Sequence, residues 1–220
     1  MNHSEHFTFG KNIEFEHMLP EEIEARSFEL IERELPHPLD PDLAPIIKRV
    51  IHTTADFEYA DSLYFSHDAL SSGMKALKSR PCIVTDTTMA MSGINKTALG
   101  KLEGKCHCFI GDEDVFKAAR EKNITRSAAS MEKAAQLEGP LIFAIGNAPT
   151  ALIQLYRLIE EKRIRPALII GVPVGFVNVI PSKELILQSN VPCIVARGRK
   201  GGSNVAAAIV NALMYLLTRA

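Results

Sequence analysis

The chain has 220 residues, and apolar residues make up 46% of it, enough for one generous domain with a substantial core. Its 25 basic and 26 acidic side chains nearly cancel, which excludes a nucleic acid or other large polyanion held by bulk charge; an anionic ligand needs a local basic cluster. No apolar run reaches the roughly 18 to 20 residues of a membrane span, and the opening MNHSEHFTFG lacks the basic-then-apolar pattern of a signal peptide. The expectation is a cytoplasmic protein with no membrane or nucleic-acid partner.

Residues 1–18 read as an irregular acidic N-terminal segment and 19–220 as a single α/β domain. In LPEEIEARSFELIEREL, Pro20 opens a helix, acids fill its first turn, and Ile23, Phe28, Leu30 and Ile31 supply an apolar stripe. DPDLAPIIKRVIHTT predicts a second helix, with Asp40 as its cap and Leu43, Ile46, Ile47, Val50 and Ile51 facing inward. His52 then lies near a helix C-terminus, where the macrodipole favours positive charge. A lone imidazole there is a buried residue with satisfied hydrogen bonds, a metal ligand or a proton donor. No further His, Cys or Asp lies near it at ligand spacing. A G-x-S-x-G elbow and a G-x-G-x-x-G fingerprint are both absent. The structural reading and the proton donor remain.

From residue 80 the chain alternates. The runs PCIVTD, CHCFIGD, GPLIFAIGN, RPALIIGVP and VPCIVARG are short, apolar and bounded by Pro, Gly or Asp, as strands buried on both faces are, and each leads into a helical segment. This predicts a mostly parallel, doubly wound sheet of about five strands with flanking helices. Ligands of such sheets sit beyond the carboxyl ends of the strands. The cysteines, Cys82, Cys106, Cys108 and Cys193, read as reduced thiols on strands. Cys106-His107-Cys108 lacks the spacer of a zinc site and has no matching second pair, so no metal site is expected.

The loops after the strands carry the candidate chemistry. In RGRKGGSNVAAAIVNAL, Arg197, Arg199 and Lys200 precede Gly201, Gly202, Ser203 and Asn204 at a helix start. This is either an anion cradle or a well-capped helix beside a solvated basic patch, and it lacks P-loop order. TDTTMAMSGINK clusters Asp86, Thr87, Thr88 and Ser92, with Asp86 a helix cap, a base or a hydrogen-bond acceptor. TRSAASM presents Arg126 and Ser127 behind Thr125, a possible cap. GNAPTAL exposes Asn147 before Pro149 at a helix start. GVPVGFVN, with Gly171 and Gly175 around a proline, is a stiff loop with room for a flat ligand.

Taken together, RVIHTTADFEY, PCIVTDTTMAMSGI, TRSAASM, GNAPTAL, GVPVGFVNVIPSKE and RGRKGGSNVAAAIVNAL resemble the precorrin-8X methylmutase (precorrin isomerase) family of cobalamin biosynthesis, from about residue 20 onward. IPSKE departs from the family's more usual AESKE, with Ile180-Pro181 in place of Ala-Glu, and keeps Lys183-Glu184. The resemblance implies a parallel α/β fold and a homodimer with active sites close to the subunit interface. It implies migration of a methyl group from C-11 to C-12 of a tetrapyrrole, giving a corrin product, with no cofactor. His52 matches the family's catalytic histidine. Arg126, Arg197, Arg199 and Lys200 are then candidates to hold the substrate's carboxylate arms, with backbone N–H groups at Gly201 to Asn204; Thr87, Thr88 and Ser92 are candidates to hydrogen-bond other arms. The alternatives from other classes are a non-catalytic tetrapyrrole carrier and an enzyme for a phosphorylated ligand.

Overall fold

The computed structural model describes residues 6–9, 13–16 and 18–219, and the chain divides into two compact units, Met1–Pro38 and Leu39–Ala220. The first holds two antiparallel strands, β1 (His6–Phe9) and β2 (Ile13–Glu16), and a helix, α1 (Pro20–Glu34). The head predicted to be irregular therefore pairs strands, and the division falls after Pro38 rather than after residue 18. HFTF and IEFE alternate over only four residues each, too few for a period of two to stand out. Pro20 does open α1, as its fixed φ and missing N–H suit a first turn.

The second unit begins with α2 (Ala44–Thr54), α3 (Tyr59–Ser62), β3 (Leu63–Phe65) and α4 (Ala69–Leu77). In α2, Ile46, Ile47, Val50 and Ile51 are buried, as their spacing predicts. Asp40 does not cap the helix; its carboxylate accepts from Asp42 N at 2.9 Å and so shapes the turn before it. Then come β4 (Cys82–Thr85), α5 (Thr88–Gly93), α6 (Lys96–Lys101), β5 (Lys105–His107), α7 (Glu113–Glu121), α8 (Arg126–Ala134), β6 (Leu141–Ile145), α9 (Pro149–Glu160), β7 (Leu168–Gly171), α10 (Val179–Gln188), β8 (Cys193–Ala196) and α11 (Ser203–Thr218).

The sheet order is β3-β8-β7-β6-β4-β5, with the five predicted strands parallel and β3 added antiparallel beside β8. Every residue of β4, β6, β7 and β8 is buried, which is why each reads as an unbroken apolar run rather than an alternating one. β3 was not visible in the sequence, because three residues at an edge leave no pattern.

Chain order reverses between β4 and β6. The chain passes from β4 outward to β5, then returns across β4 to β6 and continues through β7 to β8. Such a switch point leaves a crevice at the carboxyl edge. The register makes that edge level: Thr85 pairs with Ala144, Ile145 with Gly171, and Gly171 with Val195. The loops that follow therefore start side by side.

Candidate functional site

Asp86 follows β4 at the switch point. Its side chain is 1% exposed. Oδ1 accepts from Gly146 N at 2.9 Å, and Oδ2 accepts from Asn147 N at 2.8 Å and Ala148 N at 2.6 Å. Burial pushes this carboxyl above its ordinary value, and the three amides oppose that by stabilising the anion. The geometry makes Asp86 the clamp of the turn between β6 and α9, not a group aimed at a ligand. Beside it, Thr87 caps α5 by accepting from Ala90 N at 3.1 Å, and its hydroxyl lies 2.8 Å from that of Ser203. That contact ties the loop after β4 to the start of α11. Gly146 seals the junction: a Cβ there would sit 2.6 Å from Ser203 Cα and 2.7 Å from Gly202 O.

The loop from Arg197 to Gly202 crosses the end of β7. Gly202 N donates to Val172 O at 2.9 Å, and Gly175 N donates to Arg199 O at 3.2 Å. From below, Lys183 on α10, 1% exposed, donates through Nζ to Gly198 O at 2.8 Å and Lys200 O at 2.9 Å. Burial pulls its amine down to about 8. Gly201 has φ +155, and a Cβ there would overlap the carbonyl oxygen of Val172. Gly201→Ala is therefore expected to cost stability by at least about 1 to 3 kcal/mol, the scale of local backbone strain; thermal melting checks it.

Three guanidinium groups stand on this edge, each over an aromatic ring: Arg126 over Phe116 at 4.6 Å, Arg197 over Tyr64 at 4.8 Å and Arg199 over Phe176 at 5.5 Å. All three are exposed, and among the described residues no carboxylate pairs with any of them. Lys200 differs. Its amine lies 2.6 Å from Asp56 and 2.8 Å from Glu58 in the turn after α2. The hydrogen bond from Lys200 holds the Asp56 carboxyl below its usual range, and the two acids raise the lysine. A carboxylate arm would have to compete with both, so Lys200 is first a tie between the Arg197–Gly202 loop and the end of α2.

His52 is in the last turn of α2, exposed, two residues before the helix ends; Ala55 follows in the left-handed conformation and closes the cap on Ile51 O at 2.7 Å. The Lys200 tie brings this helix end to the arginine loop. Thr125 donates to the Thr150 hydroxyl at 2.8 Å, which sets the start of α8, with Arg126 and half-buried Ser127, beside the start of α9. Asn147 is exposed on that same turn. Thr88, Ser92 and Asn204 are exposed at the starts or outer faces of α5 and α11, with no hydrogen bond drawing their side chains into the cluster among the described residues.

Sequence reasoning missed the aromatic partners of the arginines, the acids that take Lys200 and the support from Lys183. A lysine inside the apolar run VIPSKELIL was the available signal for the last. It also missed an apolar rim: Met89 is 70% exposed, Phe176 83% and Val177 80%. Cavities of about 360 and 570 Å3 lie at the opposite, amino-terminal edge of the sheet, lined by Pro140, Ala167, Pro192, Arg165 and Asn190 among others. Cys82 and Cys193 are buried on strands, as predicted, and Cys106 and Cys108 are half-buried. Among the described residues no three His, Cys, Asp or Glu side chains gather as a metal site, and no helix is long and apolar enough to cross a membrane.

The fold is that of an α/β protein with a doubly wound sheet, and on its carboxyl side stand the guanidinium groups of Arg126, Arg197 and Arg199, exposed apolar side chains and the end of the helix that bears His52. The chain belongs to the precorrin-8X methylmutase family, whose profile matches residues 22–216. It is 46% identical over 198 residues to the cobalt-precorrin-8 methylmutase of Priestia megaterium, covering 90% of this chain and 88% of that one. It is 50% identical over 210 residues to that of Salmonella typhimurium, covering 91% and 97%. The crystal structure of the precorrin-8X methylmutase of Thermus thermophilus superposes with a TM-score of 0.82 at 37% identity, covering 90% of this chain and 97% of that one.

Proposed function

We propose that the protein is the isomerase of cobalamin biosynthesis that moves a methyl group from C-11 to C-12 of a tetrapyrrole ring, giving hydrogenobyrinate, or cobyrinate when the substrate carries cobalt. The observation that supports this beyond family membership is the set of ring-backed guanidinium groups of Arg126, Arg197 and Arg199, with no carboxylate partner among the described residues, on the edge that also bears His52. A tetrapyrrole with acetate and propionate arms presents a flat apolar face and an anionic fringe, and arginine binds carboxylates bidentately. In the reaction the bond from the methyl group to C-11 breaks as the bond to C-12 forms, with no net gain or loss of electrons. His52 gives a hydrogen bond or a proton to a ring nitrogen and so stabilises the electron-shifted transition state.

The names of the Priestia and Salmonella relatives support the cobalt form as substrate. A homodimer fits the exposed apolar rim, because a patch of this kind calls for a covering partner or ligand. Reduced cysteines and a biosynthetic role fit a cytoplasmic location. The test is to mix the purified protein with cobalt-precorrin-8, and separately with the metal-free compound, and to follow the visible spectrum. Conversion to the corrin without added cofactor is the expected result, faster with cobalt; an unchanged spectrum with both rejects the reading.

A further inference from the structure

The loop between β8 and α11 has three carbonyls in a row pinned from beneath. Gly198 O and Lys200 O accept from Lys183 Nζ at 2.8 and 2.9 Å, and Arg199 O, between them, accepts from Gly175 N at 3.2 Å. In a trans peptide the N–H points opposite to the C=O, and the described residues contain no cis bond. The amides of Arg199, Lys200 and Gly201 therefore face away from α10 and the end of β7. Among the described residues no acceptor meets them, whereas the next amide, that of Gly202, donates to Val172 O at 2.9 Å. Successive N–H groups left without acceptors are the donors that an oxyanion takes.

Lys183 is costly to keep. Its side chain is 1% exposed, its partners are main-chain carbonyls, and among the described residues no carboxylate offsets its charge. A buried ammonium of this kind is a weak source of stability compared with an apolar side chain of the same volume. What it supplies is direction: one group with several donors fixes two peptide planes at once.

We propose that Lys183 is a positioning residue of the ligand site, holding Gly198 and Lys200 carbonyls inward so that the amides of Arg199, Lys200 and Gly201, with the Arg199 guanidinium, form a subsite for one carboxylate arm. This deepens the methylmutase reading and rests on it. The subsite differs from the sequence expectation, which placed the available amides at Gly201 to Asn204; the Gly202 amide is already engaged by Val172.

The test compares Lys183→Met, which keeps volume and removes the donors, with Lys183→Gln, which keeps two N–H donors without the charge. Turnover of cobalt-precorrin-8 and titration with hydrogenobyrinic acid by absorbance are measured for each, and circular dichroism reports folding. Lys183→Met is expected to raise KM and the corrin Kd roughly ten- to a hundred-fold with kcat changed less than about three-fold, and Lys183→Gln to recover part of the loss. In an Arg199→Gln background, Lys183→Met is expected to add little, because both act on the same arm. Unchanged KM and Kd in Lys183→Met overturn the assignment. So do a loss confined to kcat, full additivity with Arg199→Gln, or failure of both Lys183 variants to fold, which would make the ammonium a folding group. Wild-type protein that binds the corrin without converting precorrin rejects the methylmutase reading alone, since the Kd comparison still decides the subsite; wild-type protein that does neither rejects both.

Discussion

Replacing His52 with alanine is expected to lower kcat by roughly 10² to 10⁴, the range for a positioned acid or hydrogen-bond donor, while corrin binding weakens less than about ten-fold. The split follows from where the side chain stands. His52 is exposed on the last turn of α2, and the buried stripe of that helix is Ile46, Ile47, Val50 and Ile51. The substitution leaves that buried stripe intact, so a loss of folding stability is not expected to account for the loss of rate. On the proposed reading the carboxylate fringe of the ligand is held elsewhere, at Arg126, Arg197 and Arg199, so affinity is expected to survive. Single-turnover measurement of the spectral change, with thermal melting as control, reads both quantities. His52→Asn refines the result: it keeps an N–H donor and cannot transfer a proton at neutral pH, so partial activity would assign hydrogen bonding and none would assign proton transfer. A carrier protein would show no loss at all in its function on either substitution, and full activity of His52→Ala would remove the imidazole from the mechanism.

The strands were legible because a parallel sheet buried on both faces writes itself as short apolar runs, and Cys82–Thr85, Leu141–Ile145, Leu168–Gly171 and Cys193–Ala196 are buried throughout. The loops after them were legible for the same reason: in such a sheet they share one edge. What each loop residue does there was not. Asp86 meets Gly146, Asn147 and Ala148 only because β4 and β6, which are not consecutive, lie side by side. No local pattern encodes an adjacency that depends on strand order. Lys200 looked like an arm-binding cation because the sequence around it is basic, and its acids, Asp56 and Glu58, are contributed by a turn some 140 residues earlier. Lys183 shows the converse: a charge in an apolar run announces that something needs it, without saying what. The arginines were candidates from position and chemistry, and the rings they stand over, Phe116, Tyr64 and Phe176, come from three separate segments.

Asp86 then carries the largest expected effect on stability. Its carboxylate joins the end of β4 to the turn between β6 and α9 across the switch point, receiving three amides at 2.9, 2.8 and 2.6 Å with 1% of its surface exposed. Asp86→Ala leaves those three N–H groups buried or half-buried without an acceptor, and each such loss costs about 1 to 3 kcal/mol before relaxation. The expected total is about 3 to 5 kcal/mol, the scale of breaking a buried charged network, which lowers Tm by roughly 6 to 20 °C in a chain of this size. Asp86→Asn is expected to do little better. It offers one acceptor where three donors converge, and its NH2 group would face amides that also donate. Asp86→Glu keeps the charge but carries an extra methylene into a site closed by the packing of Gly146 on Ser203, so overpacking replaces the lost bonds as the penalty. Differential scanning calorimetry of the three variants decides the matter. Near-wild-type melting of Asp86→Asn would mean that the turn holds itself, and would return the carboxylate to the other roles its sequence position allowed, a base or a hydrogen-bond acceptor.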